Sequence, residues 1–343
     1  MYKIVAVLLL VGLNVLVFGQ GGKGFVIIEK KNQKQVDILF NNKLLTSYCY
    51  YDSIRKPILF PINTTDGVTV TRGYPIAPRP GDQTDHPHHT GMWLNYESVN
   101  GLDYWNNSTS IPLGKRNLYG TIVHNKIVQK KSSGNRASLT TEASWVDPAN
   151  RTVLKEKTIY YFMVTGTNFI IDRFTTLTAT DTAVLFKDVK DGFFAIRVAS
   201  ELELTSKEPS TYLDDKGNST TVMNSVGSGM YYSSNGLRGD SVWGTKGKWV
   251  MLTGRKDNTD ITIGIIDHPK NIGYPAYWHA RGYGLFSVNP LGRKIFSNGK
   301  EELNFSLKAK ESVTFRYRVV IHSGQKLNNI EMNALAAEFD LVN

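Results

Sequence analysis

The sequence predicts an all-β protein, a large antiparallel β-sandwich with one helix at its carboxyl end. Many short segments alternate apolar and polar residues at a period of two, and turn-forming Gly, Asn, Asp and Pro residues separate them. No linker, repeat or low-complexity segment divides the chain. Roughly fifteen or more strands in one continuous run are typical of a sandwich that forms a single domain.

The amino-terminal segment 1–19 is predicted to be a signal peptide rather than part of the fold. Lys3 precedes an almost unbroken apolar run over residues 4–18, which ends at Gly19. This run is too short for a stable membrane anchor, and no later stretch is long and apolar enough to span a bilayer. We therefore expect cleavage after Gly19, one β-sandwich domain over residues 20–343, and a periplasmic or secreted protein.

The strand predictions follow the chain in order. Alternation is clearest at 139–145, 194–204 and 313–321, where every second side chain is apolar or small and the intervening ones are mostly polar. Further strands are predicted at 25–29, 36–40, 44–51, 152–163, 169–178, 248–252 and 261–266. Apolar residues at helical spacing predict one helix from Lys326 to Asp340, packed as a lid against a sheet.

Composition narrows the possible functions. The single cysteine, Cys49, lies in a predicted strand, where a lone thiol is usually a small buried hydrophobe. The formal charge of +10 is scattered, which fits either a solvated surface or attraction of an anionic partner such as a charged polysaccharide. Export argues against nucleic acid as a partner. The absence of a Gly-rich phosphate loop, a nucleophile elbow and a CxxC pair argues against nucleotide cofactors and a serine-hydrolase triad.

The candidate functional centre is the run Asp85-His86-Pro87-His88-His89. Three neighbouring imidazoles bury poorly unless each finds a partner, so a packed core does not need them. In an extended backbone His86 and His88 face the same way and His89 faces the other way. These histidines could act as general acid or base oriented by a carboxylate such as Asp85 or Asp82, bind a metal with a third ligand, or only hydrogen-bond the loop backbone.

A second, aromatic-rich segment contains Trp278, His279, Arg281 and Tyr283. Aromatic faces beside polar groups suit sugar rings, although Trp278 and Tyr283 could equally fill the core. His279 could join the histidine run as a third ligand or as a partner acid.

Two shorter features bear on the same site. Asp103 and Trp105 are expected to form a loop wall over the histidines. Glu201 and Glu203 could supply a general base, or could lie on a solvated sheet face.

The stretch from Arg79 through the histidines to Trp105, together with the stretch from Asp267 through Arg281 to Gly292, resembles a bacterial exported family named "methane oxygenase PmoA". The likeness covers nearly the whole chain after residue 19. It implies a protein from polysaccharide-degrading bacteria and, from the family name, a metal-dependent oxygenase that uses copper or iron.

A weaker likeness is to the galactose-mutarotase-like supersandwich. The strand-rich length, the Pro78-Arg79-Pro80-Gly81 turn before the histidines and the aromatic rims are similar to that architecture. The resemblance implies a sugar epimerase, a polysaccharide lyase or a carbohydrate-binding domain. Mutarotases use a histidine acid with a late glutamate base, and no glutamate of this chain matches that base.

We therefore predict an exported carbohydrate-active protein that binds a saccharide or polysaccharide. The positive net charge of the protein is compatible with an anionic one. The predicted acid/base residues are Asp85, His86, His88, His89 and His279. The predicted sugar contacts are Arg79, Trp93, Asp103, Trp105, Trp278, Arg281 and Tyr283. No cofactor is expected; a divalent metal on His86, His88 and His279 is the alternative. Hydrolysis, elimination and epimerisation stay open, beside an oxygenase or a non-catalytic glycan-binding protein.

Overall fold

The computed structural model describes residues 23–223, 225 and 227–342, so the predicted signal peptide lies outside the described residues. The strands are β1 (Phe25–Lys30), β2 (Gln35–Phe40), β3 (Lys43–Cys49), β4 (Ile58–Ile62), β5 (Met92–Tyr96), β6 (Thr121–Ser133), β7 (Arg136–Val146), β8 (Thr152–Thr165), β9 (Asn168–Ala179), β10 (Val184–Phe186), β11 (Gly192–Arg197), β12 (Ser210–Leu213), β13 (Ser219–Val222), β14 (Met230–Ser233), β15 (Trp249–Lys256), β16 (Thr259–Asp267), β17 (Tyr277–Ala280), β18 (Leu285–Asn289), β19 (Phe305–Leu307) and β20 (Ser312–Ser323). One α-helix, α1, spans Asn329–Asp340.

Two large antiparallel sheets contain most of these strands. The first has the order β1-β2-β3-β4-β5-β11-β18-β17, and the second has the order β14-β15-β16-β20-β9-β8-β7-β6. Two small sheets pair β10 with β19 and β12 with β13. The predicted all-β antiparallel sandwich with a carboxyl-terminal helix is confirmed.

Strand alternation places one hydrophobic core between the two sheets. Strand β20 shows how, because Phe315, Tyr317, Val319 and Ile321 enter the shared core while Val320 faces the opposite side. Rings from both sheets meet there: Phe194 of β11 stacks on Tyr317, with centroids 4.8 Å apart.

Helix α1 covers the outer face of the second sheet. Its Met332, Ala336 and Phe339 pack on a second apolar cluster that includes Trp249. The helix begins at Asn329, three residues later than predicted, because the Asn328 side chain accepts from the Glu331 amide and Glu331 returns the bond in a capping box.

One strand prediction was wrong in a way that matters for the site. The strand predicted over 194–204 ends at Arg197, and Ser200–Leu202 forms a 3-10 turn. The amides after Arg197 bond to loops instead of continuing a ladder: Val198 donates to Gly284 and Ala199 donates to Val70. As a result Glu201 lies at the surface, whereas Glu203 is buried.

Among the described residues, no helix is long and apolar enough to cross a membrane.

Candidate functional site

The outer face of the first sheet forms the floor of the site. Trp93, Ala195, Ser287 and His279 lie opposite one another on β5, β11, β18 and β17. Directly paired residues project to the same face, and adjacent strands are about 4.8 Å apart, so Trp93 and His279 stand roughly 14 Å apart. Only the small side chains of Ala195 and Ser287 lie between them, and all four residues are buried.

Buried cations hold the histidine run over this floor. The Arg72 guanidinium donates to the carbonyl oxygens of Asp85 at 2.9 Å and of His86 and His89 at 3.0 Å. The Lys56 ammonium donates to the His88 carbonyl at 2.6 Å. Four carbonyls within five residues of one loop are thus fixed by two side chains, which restrains the directions in which the imidazoles project.

Asp85 lies at the centre of the charge network. Its carboxylate accepts from Arg72, from Arg197 at 2.6 Å, and from Nδ1 of His86. Burial by itself would raise the pKa of Asp85, but the His86 hydrogen bond and the charges of Arg197 and Arg72 outweigh it and hold that pKa well below its usual range. Asp85 therefore stays ionised and orients His86 through Nδ1, so Nε2 is the atom left for proton transfer.

The two sequence motifs meet through aromatic stacking. The Tyr283 ring stacks on His86 with centroids 5.1 Å apart, and His86 stacks on His89 at 4.7 Å. His89 in turn stacks on Trp93 at 5.4 Å. The stack joins the turn between β17 and β18 to the histidine run and to the floor.

The other imidazoles of the site are neutral. Burial lowers the pKa of His88 to about 2 and that of His279 to about 3, and it lowers the pKa of His89 well below its usual value. Nε2 of His88 and His89 and Nδ1 of His279 are buried without a hydrogen-bond partner among the described residues. Such orphaned polar atoms mark a place where water or a ligand group would be stabilising.

Three half-buried carboxylates that interact with one another have raised pKa values. Burial raises the pKa of Asp191, Glu97 and Asp103. Asp191 Oδ1 lies 3.7 Å from Nδ1 of His279. Burial also lowers the pKa of Lys56, whose Nζ lies 5.1 Å from the Trp93 ring centre, to about 7.

A pocket of about 570 Å³ adjoins the histidine run on the other side of Asp85. Glu203 lines it, 2% exposed, and accepts from the Tyr212 hydroxyl at 3.1 Å through Oε2. Its Oε1 lies 3.7 Å from Arg197 and has no hydrogen-bond partner in the described part of the chain. Burial raises the pKa of Glu203 to about 7 despite that neighbouring cation.

Several predicted sugar contacts lie elsewhere than expected. Trp93 and Trp105 are fully buried beneath the histidines, and Trp278 lies in the core with its Nε1 donating to the Gly247 carbonyl. Their predicted role as stacking surfaces is corrected, because a fully buried indole offers no face to a sugar. Arg79 donates to the Thr71 carbonyl at 2.7 Å and lies 3.6 Å from Asp82, so it braces a neighbouring loop.

The remaining predicted residues lie around the site. His86 is exposed at its rim, Tyr283 and Arg281 line the pocket, and His279 stands on the floor. Asp103 accepts from the Asn106 amide and side chain, so its carboxylate is partly engaged in its own loop.

The alternative metal site does not fit the arrangement. Within the described residues, no three His, Cys, Asp or Glu side chains gather as a group that could hold a metal ion. His86, His88 and His279, the ligand set that the alternative requires, are therefore not assembled as one.

One family matches almost the whole chain. Its profile, "Family of unknown function (DUF6807)", aligns with residues 35–337. The chain belongs to the DUF6807 family. The comparisons give no support for the likeness to the PmoA family. No curated protein sequence matches this DUF6807 chain.

Solved structures that overlay on this DUF6807 protein share little sequence with it. A GH36 α-galactosidase from Geobacillus stearothermophilus is 12% identical, with a TM-score of 0.42 over 89% of this chain and 41% of that one. A galactose 1-epimerase from Lactobacillus acidophilus NCFM is 12% identical, with a TM-score of 0.39 over 88% and 98% of the two chains. The chain thus spans less than half of the α-galactosidase. At these TM-scores the likenesses carry no argument about activity.

Sequence reasoning missed several residues that this DUF6807 structure places at the site. They are Lys56, Arg72, Arg197, Tyr212 and Trp243. Arg197 did carry a signal, because it is the one charged residue in the apolar run 193–199. Such a residue must find a buried partner, and Asp85 supplies it. Glu203 was weighed as a general base or as part of a solvated sheet face, and its burial depends on the 3-10 turn that follows β11.

Proposed function

We propose that this protein binds a saccharide in the Glu203 pocket and acts on it by acid–base chemistry. The observation that carries the proposal is Glu203 itself, a buried carboxyl with a pKa near 7 that lines a pocket of about 570 Å³. A carboxyl with that pKa can both take up and release a proton at neutral pH, which an ordinary surface glutamate does poorly.

A second proton-transfer group stands beside the first. Arg197 lies between two carboxylates, 2.6 Å from Asp85 and 3.7 Å from Glu203. Asp85 orients His86, whose exposed ring leaves Nε2 without a partner among the described residues. Glu203 and His86 thus supply an acid/base pair, and Arg197 fixes their relative positions as a positioning residue.

The lining of the pocket supports a sugar as the bound molecule. Hydroxyl groups suited to hydrogen bonding with a polyol come from Thr205, Ser206, Ser210, Tyr212 and Ser225. Two half-buried rings, Tyr283 and Trp243, supply faces for the C–H side of a sugar ring. Trp243 thereby takes the stacking role that the sequence had suggested for Trp278.

Hydrolysis, elimination and epimerisation all need proton transfer at a sugar oxygen or carbon, so each is compatible with this pair. We place the activity in the periplasm or outside the cell, as the apolar run over residues 4–18 indicates. The oxygenase implied by the PmoA resemblance gains no ligand set from the described residues, and no step is assigned to a metal.

The test is a panel of neutral and acidic oligosaccharides, screened for binding by calorimetry and for turnover by product chromatography. Glu203→Gln should abolish turnover and keep binding within about threefold, because the amide retains shape but transfers no proton. Glu201→Gln is the matched control, since Glu201 lies two residues away at the surface and pairs with Lys256. It should retain full turnover.

Two outcomes would overturn the proposal. If none of the saccharides binds, the pocket is not a glycan site. If a saccharide binds and no product forms with the wild-type protein, the protein is a non-catalytic glycan-binding module and the acid–base part of the proposal fails.

A further inference from the structure

Arg281 lies at the rim of the Glu203 pocket, on the turn between β17 and β18. Its guanidinium carbon lies 5.7 Å from the centre of the Tyr283 ring and 5.8 Å from the centre of the Trp243 ring. Among the described residues its side chain has no hydrogen-bond acceptor and no ion-pair partner. Its charge acts on Asp191, but the two side chains form no ion pair.

The other arginines of the site are all engaged. Arg72 donates to Asp85 and to loop carbonyls, Arg197 donates to the side chains of Asp85 and Gln83, and Arg79 donates to the Thr71 carbonyl. Arg281 therefore differs in being exposed, held against two rings and left with its donors free. Contact with the rings limits the conformations of the side chain, so less entropy is lost when the guanidinium binds an acceptor.

The geometry points to a saccharide that carries a carboxylate, a uronic acid unit, with that carboxylate bound by Arg281. The inference rests on the proposed function and names the substrate class of the same pocket. A guanidinium binds a carboxylate with two parallel N–H···O bonds, which makes it more selective for this group than for a hydroxyl.

The charges of the pocket decide how such a sugar would lie. Asp85, Glu203, Glu208 and Asp240 line the wall, and Arg281 is the one cation among the described lining residues. A carboxylate pushed inward would be repelled by these acids, so it must stay at the rim on Arg281. The uncharged hydroxyls of the ring then turn inward to Glu203 and Tyr212.

The experiment compares ligands that differ only in charge. Tetrasaccharides of galacturonate, glucuronate and mannuronate are titrated calorimetrically, each beside its methyl ester, at low and high salt. The wild-type protein should bind at least one free acid roughly tenfold or more tightly than its ester, with the difference shrinking at high salt.

Variants locate the effect. Arg281→Gln should remove the preference for the free acid while leaving ester binding within about threefold, and Arg281→Lys should keep part of it, because it retains charge without the planar fork. Arg79→Gln is the matched arginine control and should keep the whole preference.

Equal or tighter binding of the esters by the wild-type protein, or an acid preference that survives Arg281→Gln, would overturn the inference and leave the saccharide proposal standing. If neither acids nor esters nor the neutral panel bind, the proposed function itself fails and the inference falls with it.

Discussion

Tyr283 stacks on His86 with ring centroids 5.1 Å apart and planes within 3° of parallel. The contact brings together two segments that lie far apart in the chain, the histidine run and the turn between β17 and β18. It also separates the pocket side of the site, which Tyr283 lines, from the histidine side. A single pair of rings therefore fixes the relation between the proposed acid/base group and the proposed sugar-binding surface.

Tyr283→Ala should lower both the stability of the protein and its turnover. Loss of the stacked ring removes about 0.5–1.5 kcal/mol of pair interaction beyond the area it buries, so unfolding should need less denaturant. Turnover should fall more in Tyr283→Ala than in Tyr283→Phe, because the Phe variant keeps the ring and loses only the hydroxyl. Equal losses in the two variants, in paired denaturation and turnover assays, would contradict a role for the stacking.

His86→Gln should abolish most turnover without unfolding the protein. His86 is exposed, so its replacement costs little packing, whereas loss of a general acid or base typically slows a reaction about 10²–10⁴-fold. His322→Gln, on the second sheet, serves as the control and should leave turnover unchanged. A His86 variant that retains more than about half of wild-type turnover would remove this residue from the mechanism.

Glu203 should make stability depend on pH in a direction opposite to that of an ordinary salt-bridged acid. Its folded pKa of about 7 exceeds the ordinary glutamate value of 4.5, so the folded protein keeps a proton that the unfolded chain has lost. The stability from this proton is fully present below pH 4.5 and is lost as pH rises to about 7. Between pH 4.5 and about pH 7, the free energy of unfolding of Glu203→Gln should therefore rise by about 3 kcal/mol relative to that of the wild-type protein.

Urea titrations at several pH values measure this difference. Glu201→Gln, at the surface, should show no comparable trend against wild type. A flat difference for Glu203→Gln would mean that the carboxyl is not protonated in the folded state at neutral pH.

Arg72→Gln should destabilise the protein by about 3–5 kcal/mol, because it leaves Asp85 and several loop carbonyls short of a buried donor. Arg79→Gln changes a nearby arginine that does not contact Asp85, and it should lower the free energy of unfolding by less than about 1 kcal/mol. Thermal and chemical denaturation give both values. Similar losses in the two variants would argue against Arg72 as the residue that holds the histidine run.

Two tryptophans separate stability from binding. Trp278→Phe should lower stability by about 1–3 kcal/mol, since it removes core volume and the bond to Gly247, and should leave glycan affinity within about twofold. Trp243→Ala should weaken glycan binding about tenfold with a smaller effect on stability. Calorimetric titration of both variants with the best saccharide of the panel tests this, and the reverse pattern would restore Trp278 as the stacking surface.

Much of the fold was predictable because strand periodicity is local. Alternation in residues such as Phe315, Tyr317 and Val319 determines which face of β20 is buried, whatever its partners are. The course of the chain after Arg197 was not predictable in this way. Alternation continues through Glu203, but the backbone bonds formed with Val70 and Gly284 end the strand, and both of those residues are distant in sequence.

The sequence by itself determined the sandwich and the terminal helix, and it singled out the histidine run as a candidate site, since each depends on residue types at short spacing. Only the tertiary structure decided which neighbours those residues meet. Trp278 enters the core and Trp243 the pocket, although both are tryptophans beside polar residues. Glu203 becomes an acid with a pKa near 7 because the fold buries it near Arg197, and burial and charge pairing depend on contacts between distant segments.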